Sequence, residues 1–379
     1  MRVDATKLNA MMDPTSTFMY SMPEDNEQNR LAKIWKHFVS QGGCVNHNAI
    51  PLGHDIGSFP SIGSSTYCSQ DILVEDVHFS MKYFTPFDLG YRSLAVNLSD
   101  LAAGGVQPLG FMISIAVPQR FQKDTFFEEF YSGLAYLSQR YQVPLVGGDL
   151  STSPNLLVVD ISVFGGLSTG QRPWTRAGAT VGDLVWLTGF PGLSEQGRHE
   201  LQNTIFETDL AQKHILQPPI FQNYSEPIQR HLRPTPRTDW AHQLRQNPQI
   251  QITSCMDTSD DLLRSLSILS KESKVLLEID VDQIPVHPSL IKAFADPIEA
   301  LQNILISGED YELLFTSSAE SKQQIENLAA KENLTLNCIG VVANKLEVLK
   351  TLPYVRFRSN HFKNINFISK KTGWQHFLS

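Results

Sequence analysis

The sequence predicts an α/β fold of mixed α+β character, built as two domains. Three observations carry this. Extended apolar runs alternate with helical ones from Ser65 onward, which marks a sheet with helices packed on it rather than a sandwich. The chain has 379 residues, enough for two proper cores. Gly170-Gln171-Arg172-Pro173 breaks the alternation near its middle. The expected division is a disordered leader at 1–28, an N-terminal domain at 29–170 and a C-terminal α/β domain at 171–379.

The leader is polar and rich in Met, Asn and Asp, with little periodicity. Residues 30–40 (RLAKIWKHFVS) then place Leu31, Ile34, Trp35 and Phe38 on one helical face. Pro51 to Gly57 is a glycine-bounded turn, followed by an extended run at 65–70 that Asp71 closes. Thr85-Pro86-Phe87-Asp88 has the form of a capping box with proline at the first helical position. Gly104-Gly105 stops the helix it opens. Leu94, Leu98, Leu101 and Ala102 recur at helical spacing as a buried stripe, while Ser93, Asn97 and Asp100 share another face. That polar face either presents an amide and a carboxylate to a ligand or simply meets solvent.

A buried strand follows at Phe111–Val117, then a helix at Asp124–Tyr141 with Phe127, Phe130, Leu134 and Leu137 inward. Short strands are expected at Val143–Val146, ending in Gly147-Gly148-Asp149, and at Leu156–Phe164. The second half opens with a strand at Leu184–Thr188 and a loop holding Gly189, Gly192 and Gly197. Residues 200–240 read as helical pieces ending in Arg233-Pro234-Thr235-Pro236-Arg237. A strand at Gln249–Met256 delivers Asp257-Thr258-Ser259-Asp260. Thr258 and Asp261 have the form of a second capping box, opening a helix with Leu262, Leu263, Leu266 and Leu269 inward. Strand-like pieces at Val275–Ile279 and Glu312–Phe315 complete the reading; no internal repeat or low-complexity tract is present.

Hydrophobic residues make up 41% of the chain and charged ones 18%, as in ordinary globular proteins. The net charge is −8 with no basic run, which argues against nucleic acid and anionic membranes as partners. Cys44, Cys68, Cys255 and Cys338 show neither C-x-x-C nor finger spacing, and no signal peptide or membrane-length run occurs. Free thiols in the cytoplasm are the expectation.

Four corners share one design, an apolar run ending in a turn with carboxylates: Gly53-His54-Asp55, Ser69-Gln70-Asp71, Gly147-Gly148-Asp149 and Asp257-Thr258-Ser259-Asp260. One such corner is ordinary turn chemistry. Four of them, with Asp100, suit Mg²⁺, which takes hard oxygen ligands and leaves positions for phosphate. An acidic protein can handle phosphates when cations do the neutralising. No Walker lysine motif, kinase catalytic loop or G-x-S-x-G elbow is present, so ATP phosphates would be held mainly through metals and glycine-backed amides, and no covalent nucleophile is assigned.

From residue 31 to the C-terminus the chain resembles the thiamine-monophosphate kinase family, of the aminoimidazole-ribonucleotide synthetase superfamily. The resemblance lies in LAVNLSDLAAGG (94–105), VGGD (146–149), RAGATVGD (176–183), RPTPR (233–237), SGEDYELLF (307–315) and the terminal GWQHF. It implies a homodimer whose N-terminal domains pair through their sheets, forming a barrel. ATP and several Mg²⁺ ions would lie between the two domains, with direct transfer of the γ-phosphate onto thiamine monophosphate. By position it implies Asp55, Ser69, Gln70, Asp71, Asp100, Asp149 and Asp257 as metal ligands, with Asp260 holding a further ion. Gly148, Asp149, Arg176 and Ser259 would touch ATP; His78, Glu309 and Trp374 would line the thiamine-phosphate site. Taken singly, His78 reads as a hydrogen-bonded strand histidine, Trp374 as a packing anchor, Arg176 as a partner of Asp183, Glu309 as a turn residue and Ser259 as helix-start chemistry.

The chain also departs from the family pattern. His54 replaces an acid, Gln70 a hydroxyl, Leu150-Ser151-Thr152 a Thr-Thr-Arg, and Asp261 a glycine. These changes leave open a sister ATP-dependent synthetase and a non-catalytic nucleotide-binding paralogue.

Overall fold

One helix, α1 (Pro86–Ala103), is shared by both halves of the molecule. The structure is a computed structural model and describes residues 18–20, 57–59, 65–207, 224–294, 296–344 and 355–359. The helix begins as its sequence dictates: the Thr85 hydroxyl accepts from the Asp88 amide at 3.1 Å and the Asp88 carboxylate accepts from the Thr85 amide at 3.4 Å. Leu94, Leu98, Leu101 and Ala102 are fully buried. At its C-terminus Gly105 takes φ +60°, and Arg245 donates to the Gly105 and Gly104 carbonyls at 2.7 and 3.2 Å, satisfying groups the helix leaves open.

The N-terminal sheet contains β2 (Gly57–Phe59), β3 (Thr66–Val74), β4 (Gln107–Pro118), β5 (Leu145–Ser153) and β6 (Val158–Gly166), in the order β2-β3-β6-β4-β5. All pairs are antiparallel except β4–β5, whose crossover is α2 (Asp124–Tyr141). Helices α1 and α2 cover one face over Leu73, Ile113, Ile115, Ile161 and Val163. They cross almost backbone to backbone. A Cβ on Gly90 would stand 1.9 Å from the Phe130 carbonyl oxygen, and one on Gly133 2.0 Å from that of Phe87.

The second sheet contains β1 (Phe18–Tyr20), β7 (Leu184–Thr188), β8 (Ile252–Asp257), β9 (Leu276–Asp280), β10 (Leu313–Ser317), β11 (Leu336–Ala343) and β12 (Val355–Arg358), in the order β1-β12-β9-β11-β7-β10-β8. Helices α3 (Leu193–Glu207), α4 (Glu226–Leu232), α5 (Thr238–Gln246), α6 (Leu262–Ser273), α7 (Pro288–Ala293), α8 (Pro297–Ile306) and α9 (Lys322–Lys331) accompany it. Leu266 and Leu269 of α6 and Ile304 and Leu305 of α8 share one core with the sheet. A separate core joins Trp186, Phe315 and Trp240 to Ala102 and Ala103 of α1. The middle of α1 therefore belongs to one half and its end to the other.

Several expectations change. The strand expected to close at Asp71 runs on to Val74, because Ile72-Leu73-Val74 sustains the extended pattern, so Asp71 lies mid-strand. Gly147-Gly148-Asp149 lies inside β5 rather than in a turn after it. Phe126, which the spacing does not single out, is the more buried residue of the first turn of α2, and Phe127 packs partly buried against the same core. Gly197 belongs to α3, where a Cβ would stand 2.0 Å from the Pro227 carbonyl oxygen. Asp261 caps α6 by itself, accepting from the Arg264 amide at 2.6 Å, while the Thr258 hydroxyl accepts from the Glu312 amide at 3.1 Å. Phe18–Tyr20, inside the expected leader, pair with β12. The rest of the leader, the helix at 30–40, the turn before Gly57 and the terminal GWQHF lie outside the described residues.

Candidate functional site

Two neighbouring residues of α1 tie the halves together through acids. Ser69 of β3 donates its hydroxyl to Asp100 at 2.5 Å, and Ser99 donates to Asp257, at the end of β8, at 2.7 Å. Asn97, one turn earlier, accepts from the Asp71 amide at 3.1 Å and donates its own amide to the Ser93 carbonyl at 2.9 Å. Asp71, Asp100 and Asp257, from β3, α1 and β8, are thus all tied to one stretch of helix, the first through its backbone amide and the other two through their carboxylates. Ser93, Asn97 and Ser99 are buried and Asp100 is half-buried, so the polar face does not simply meet solvent.

Tyr311 reports the same convergence. Burial raises its hydroxyl pKa well above the ordinary value; Arg92 opposes this, while Glu309, Asp71 and Asp257 add to it. Acids of both halves therefore lie near enough to act on its hydroxyl. Tyr311 belongs to the loop 307–312 (SGEDYE), folded against the Asp257 corner. Glu309 donates its amide to the Ser259 carbonyl at 2.8 Å and Tyr311 donates to that of Thr258 at 3.2 Å. A Cβ on Gly308 would meet the Asp260 carbonyl oxygen at 2.5 Å. Glu309 and Tyr311 both take left-handed backbone, at φ +65° and +54°.

The side chains between them anchor the loop from behind. Asp310 accepts from the Gly192 and Ser194 amides at 2.6 and 3.0 Å, at the start of α3, and burial pushes its pKa up to about 7 despite these bonds. Glu312 is 1% exposed and takes Arg230 at 2.6 Å, the Arg237 Nε at 2.6 Å and the Thr188 hydroxyl at 2.5 Å. Arg233 reaches the other way, to Asp88 at the start of α1 at 2.5 Å. The two arginines of RPTPR therefore grip both halves beside the site.

Ser69, Asp71, Asp100, Asp257 and Glu309 lie at this junction; Asp260, half-buried, pairs with Arg264 at 3.4 Å, and Ser259 is exposed beside it. His78 sits in a turn, not a strand, and its Nδ1 accepts from the Val74 amide at 3.0 Å. Arg176 lies in a loop laid along β8, its carbonyl accepting from the Ser273 hydroxyl at 3.2 Å. The Asp183 carboxylate accepts instead from the Thr180 amide and the Thr253 hydroxyl, both at 2.7 Å.

Asp149 and Gln70 do not join. Across the sheet Asp71 aligns with Ile161, Ile113 and Gly148, whereas Asp149 aligns with Ser114 and Asp160 on the opposite face. Gln70 lies on that outer face too, donating to both Asp160 oxygens at 2.9 and 2.7 Å. Gly148 is three strands from Asp71, about 14 Å. A Cβ there would meet the Ile113 carbonyl oxygen at 2.2 Å, which is a backbone reason for glycine. Asp55 and Trp374 lie outside the described residues.

The donors that do meet are hard oxygens, the right kind for Mg²⁺. Among the described residues no group of three or more acidic, imidazole or thiol side chains could hold a metal by itself. Mg²⁺ usually takes one or two carboxylates, waters and substrate phosphate oxygens, so paired acids beside a phosphate suit it without a full protein cage.

Arg92, Arg230, His231, Tyr311 and Glu312 escaped the sequence reading. The one available signal was Arg92 itself, a charge inside the apolar run LGYRSLAV, where burial demands a partner.

Residues 58–167 match the family described as AIR synthase related protein, N-terminal domain. A thiamine-monophosphate kinase of Buchnera aphidicola (subsp. Schizaphis graminum) is 34% identical over 310 residues, covering 82% of this chain and 86% of the relative. One of Bacillus subtilis is 30% identical over 347 residues, covering 88% and 95%. A solved structure described as AaThiL complexed with AMPPCP and TMP superposes with a TM-score of 0.71 at 25% identity, over 95% of this chain and 100% of that one.

Proposed function

Because this chain belongs to the thiamine-monophosphate kinase family, we propose that it transfers the γ-phosphate of ATP directly to the phosphate of thiamine monophosphate, giving thiamine diphosphate and ADP. The observation that carries this is the pair of serine–carboxylate bonds at adjacent residues of α1, which seat Asp100 and Asp257 on neighbouring positions of the helix that both halves share. The reaction joins two anions, so positioning and charge compensation are what the protein must supply. Mg²⁺, when held here, would supply charge compensation for the phosphates. Asp71, Asp100 and Asp257 offer the oxygens that hold it. Ser69 and Ser99 fix two of those carboxylates in one orientation before substrate arrives. No side chain attacks phosphorus in this scheme.

The assignments at Asp55, Asp149, Asp260, Gly148, Arg176, Ser259, His78, Glu309 and Trp374 remain those implied by the family likeness. Units at 29–170 and 171–379 would close on the site, with β1 added to the second. Asp149 and Gln70 lie on the uncovered sheet face with exposed Ile72 and Met112, and an apolar face of this kind suits a second copy of the chain. The proposed homodimer would bury it. Among the described residues no helix is long and apolar enough to cross a membrane, and the proposed location is the cytoplasm.

The test is an assay of purified protein with ATP, thiamine monophosphate and a range of Mg²⁺. Thiamine diphosphate and ADP should form in equal amounts. ATP binding without product would instead favour the paralogue that only holds nucleotide.

A further inference from the structure

We propose that Arg92 is a positioning residue that holds the Glu309 carboxylate for the acceptor substrate, and so sets the KM for thiamine monophosphate. The proposal rests on the reading of Glu309 as a contact of that substrate. Arg92 projects from α1 and is fully enclosed. Its Nη2 donates to Glu309 Oε1 at 2.5 Å, its Nη1 donates to the His231 carbonyl, and its guanidinium lies 5.5 Å from the centre of the Tyr311 ring and 5.9 Å from that of Phe84. Both ends of the fork are thereby fixed, and with them the oxygen they hold.

Stability alone does not account for this arrangement. The Arg92 side chain is 0% exposed while that of Glu309 is 32% exposed, so the pair joins a desolvated cation to an acid still open to solvent. The Arg92 Nε is buried with no hydrogen-bond partner among the described residues. A buried guanidinium with an unmet N–H costs stability, and an apolar side chain of similar length often does as well or better in such a place. What the arginine adds is an accessible carboxylate with one oxygen pinned. The other, Oε2, stands 3.8 Å from His231 Nδ1.

The local chemistry says what such a carboxylate recognises. It repels phosphate and attracts a cationic or N–H-donating ring, and thiamine monophosphate brings both a thiazolium and an aminopyrimidine. ATP binding should therefore be indifferent to Arg92.

The experiment compares Arg92→Met, Arg92→Lys, Glu309→Ala and the double variant Arg92→Met/Glu309→Ala by steady-state kinetics and thermal melting. Arg92→Met should raise the KM for thiamine monophosphate about tenfold or more, the scale of a lost hydrogen bond to a charged group. The KM for ATP should not change, and the melting temperature should hold or rise. Arg92→Lys, a single ammonium in place of a fork, should recover part of the affinity. Against a Glu309→Ala background, Arg92→Met should add nothing to KM and should raise stability, because it removes an unpaired buried charge. Additive KM effects, or parallel loss of ATP affinity and melting temperature, would overturn the proposal. If Arg92→Met does not fold, Arg92→Lys against Glu309→Ala carries the comparison. A raised KM in Glu309→Ala with none in the Arg92 variants sinks the Arg92 proposal alone. An unchanged KM in Glu309→Ala sinks the reading of Glu309 and this proposal with it.

Discussion

Glu312→Gln is the sharpest perturbation of the clamp behind the site. Glu312 accepts from two guanidiniums and a threonine hydroxyl, and the space for it exists because the next strand end carries Gly189, whose Cβ would stand 2.0 Å from the carboxylate. Glutamine keeps the shape but removes the charge and turns one acceptor into a donor facing arginine. Removing one partner of a buried ion pair typically costs 3–5 kcal/mol. The side chains of Arg230 and Arg237 retain 18% and 12% exposure, which admits some water and places the expected loss near the lower end, about 3 kcal/mol. Denaturant unfolding should show a lower midpoint with an unchanged slope, and the deficit should persist in high salt, since buried pairs are weakly screened. Burial pushes the Glu312 pKa up, yet Arg237 and Arg230 outweigh it and hold it below the ordinary value. Its contribution is therefore full above the unfolded pKa and lost as pH falls through the folded one, so the gap between the two proteins should close in acid. A loss under about 1 kcal/mol, the scale of an exposed pair, would refute the claim that RPTPR locks this corner.

Gly133→Ala should destabilise by about 3 kcal/mol or more, because its methyl meets the Phe87 carbonyl at the α1–α2 crossing. A melting temperature like that of the parent would mean the helices can part cheaply. Asp257→Asn should lower kcat by about 10²–10³ while leaving the fold intact, since the Ser99 bond survives but the negative charge does not; near-parental turnover would remove Asp257 from the site. Asp310, pushed up to about 7 by burial, binds a proton when folded that it lacks when unfolded. Its contribution to stability should accordingly fall as pH rises from about 4 to about 7. Asp310→Asn should flatten that slope in urea midpoints taken across the interval, and an unaltered slope would mean the carboxyl stays ionised.

The parts of the fold legible in the sequence were those with local causes. Thr85-Pro86-Phe87-Asp88 opens α1 because the cap bonds span three residues, and α2 runs from Asp124 to Tyr141 as its apolar spacing requires. Strand ends were less legible, because a β-ladder takes its length from partners remote in sequence. Asp71 fell inside β3, and Gly147-Gly148-Asp149 inside β5, once β6 and β4 were there to pair with.

The site divides in the same way. Asp71 and Asp257 could be read from acidic corners and Asp100 from a polar helix face, but what joins them, Ser69 and Ser99, has no local signature. Nor does alternation along one strand say which of two neighbours faces a ligand: Asp71 and Gln70 are adjacent and lie on opposite faces. Asp149 makes the consequence concrete. Register puts it on the side of the sheet away from Asp71. If Asp149 acts in phosphoryl transfer, it does so where the uncovered face of β3, β6, β4 and β5 meets another surface. Separating Asp149→Asn from Asp257→Asn by their dependence on protein concentration would then distinguish a ligand that needs a second copy from one that does not. A fall in specific activity on dilution should be shallower in the first than in the second, because Asp149→Asn has already lost the group that a second copy brings into play.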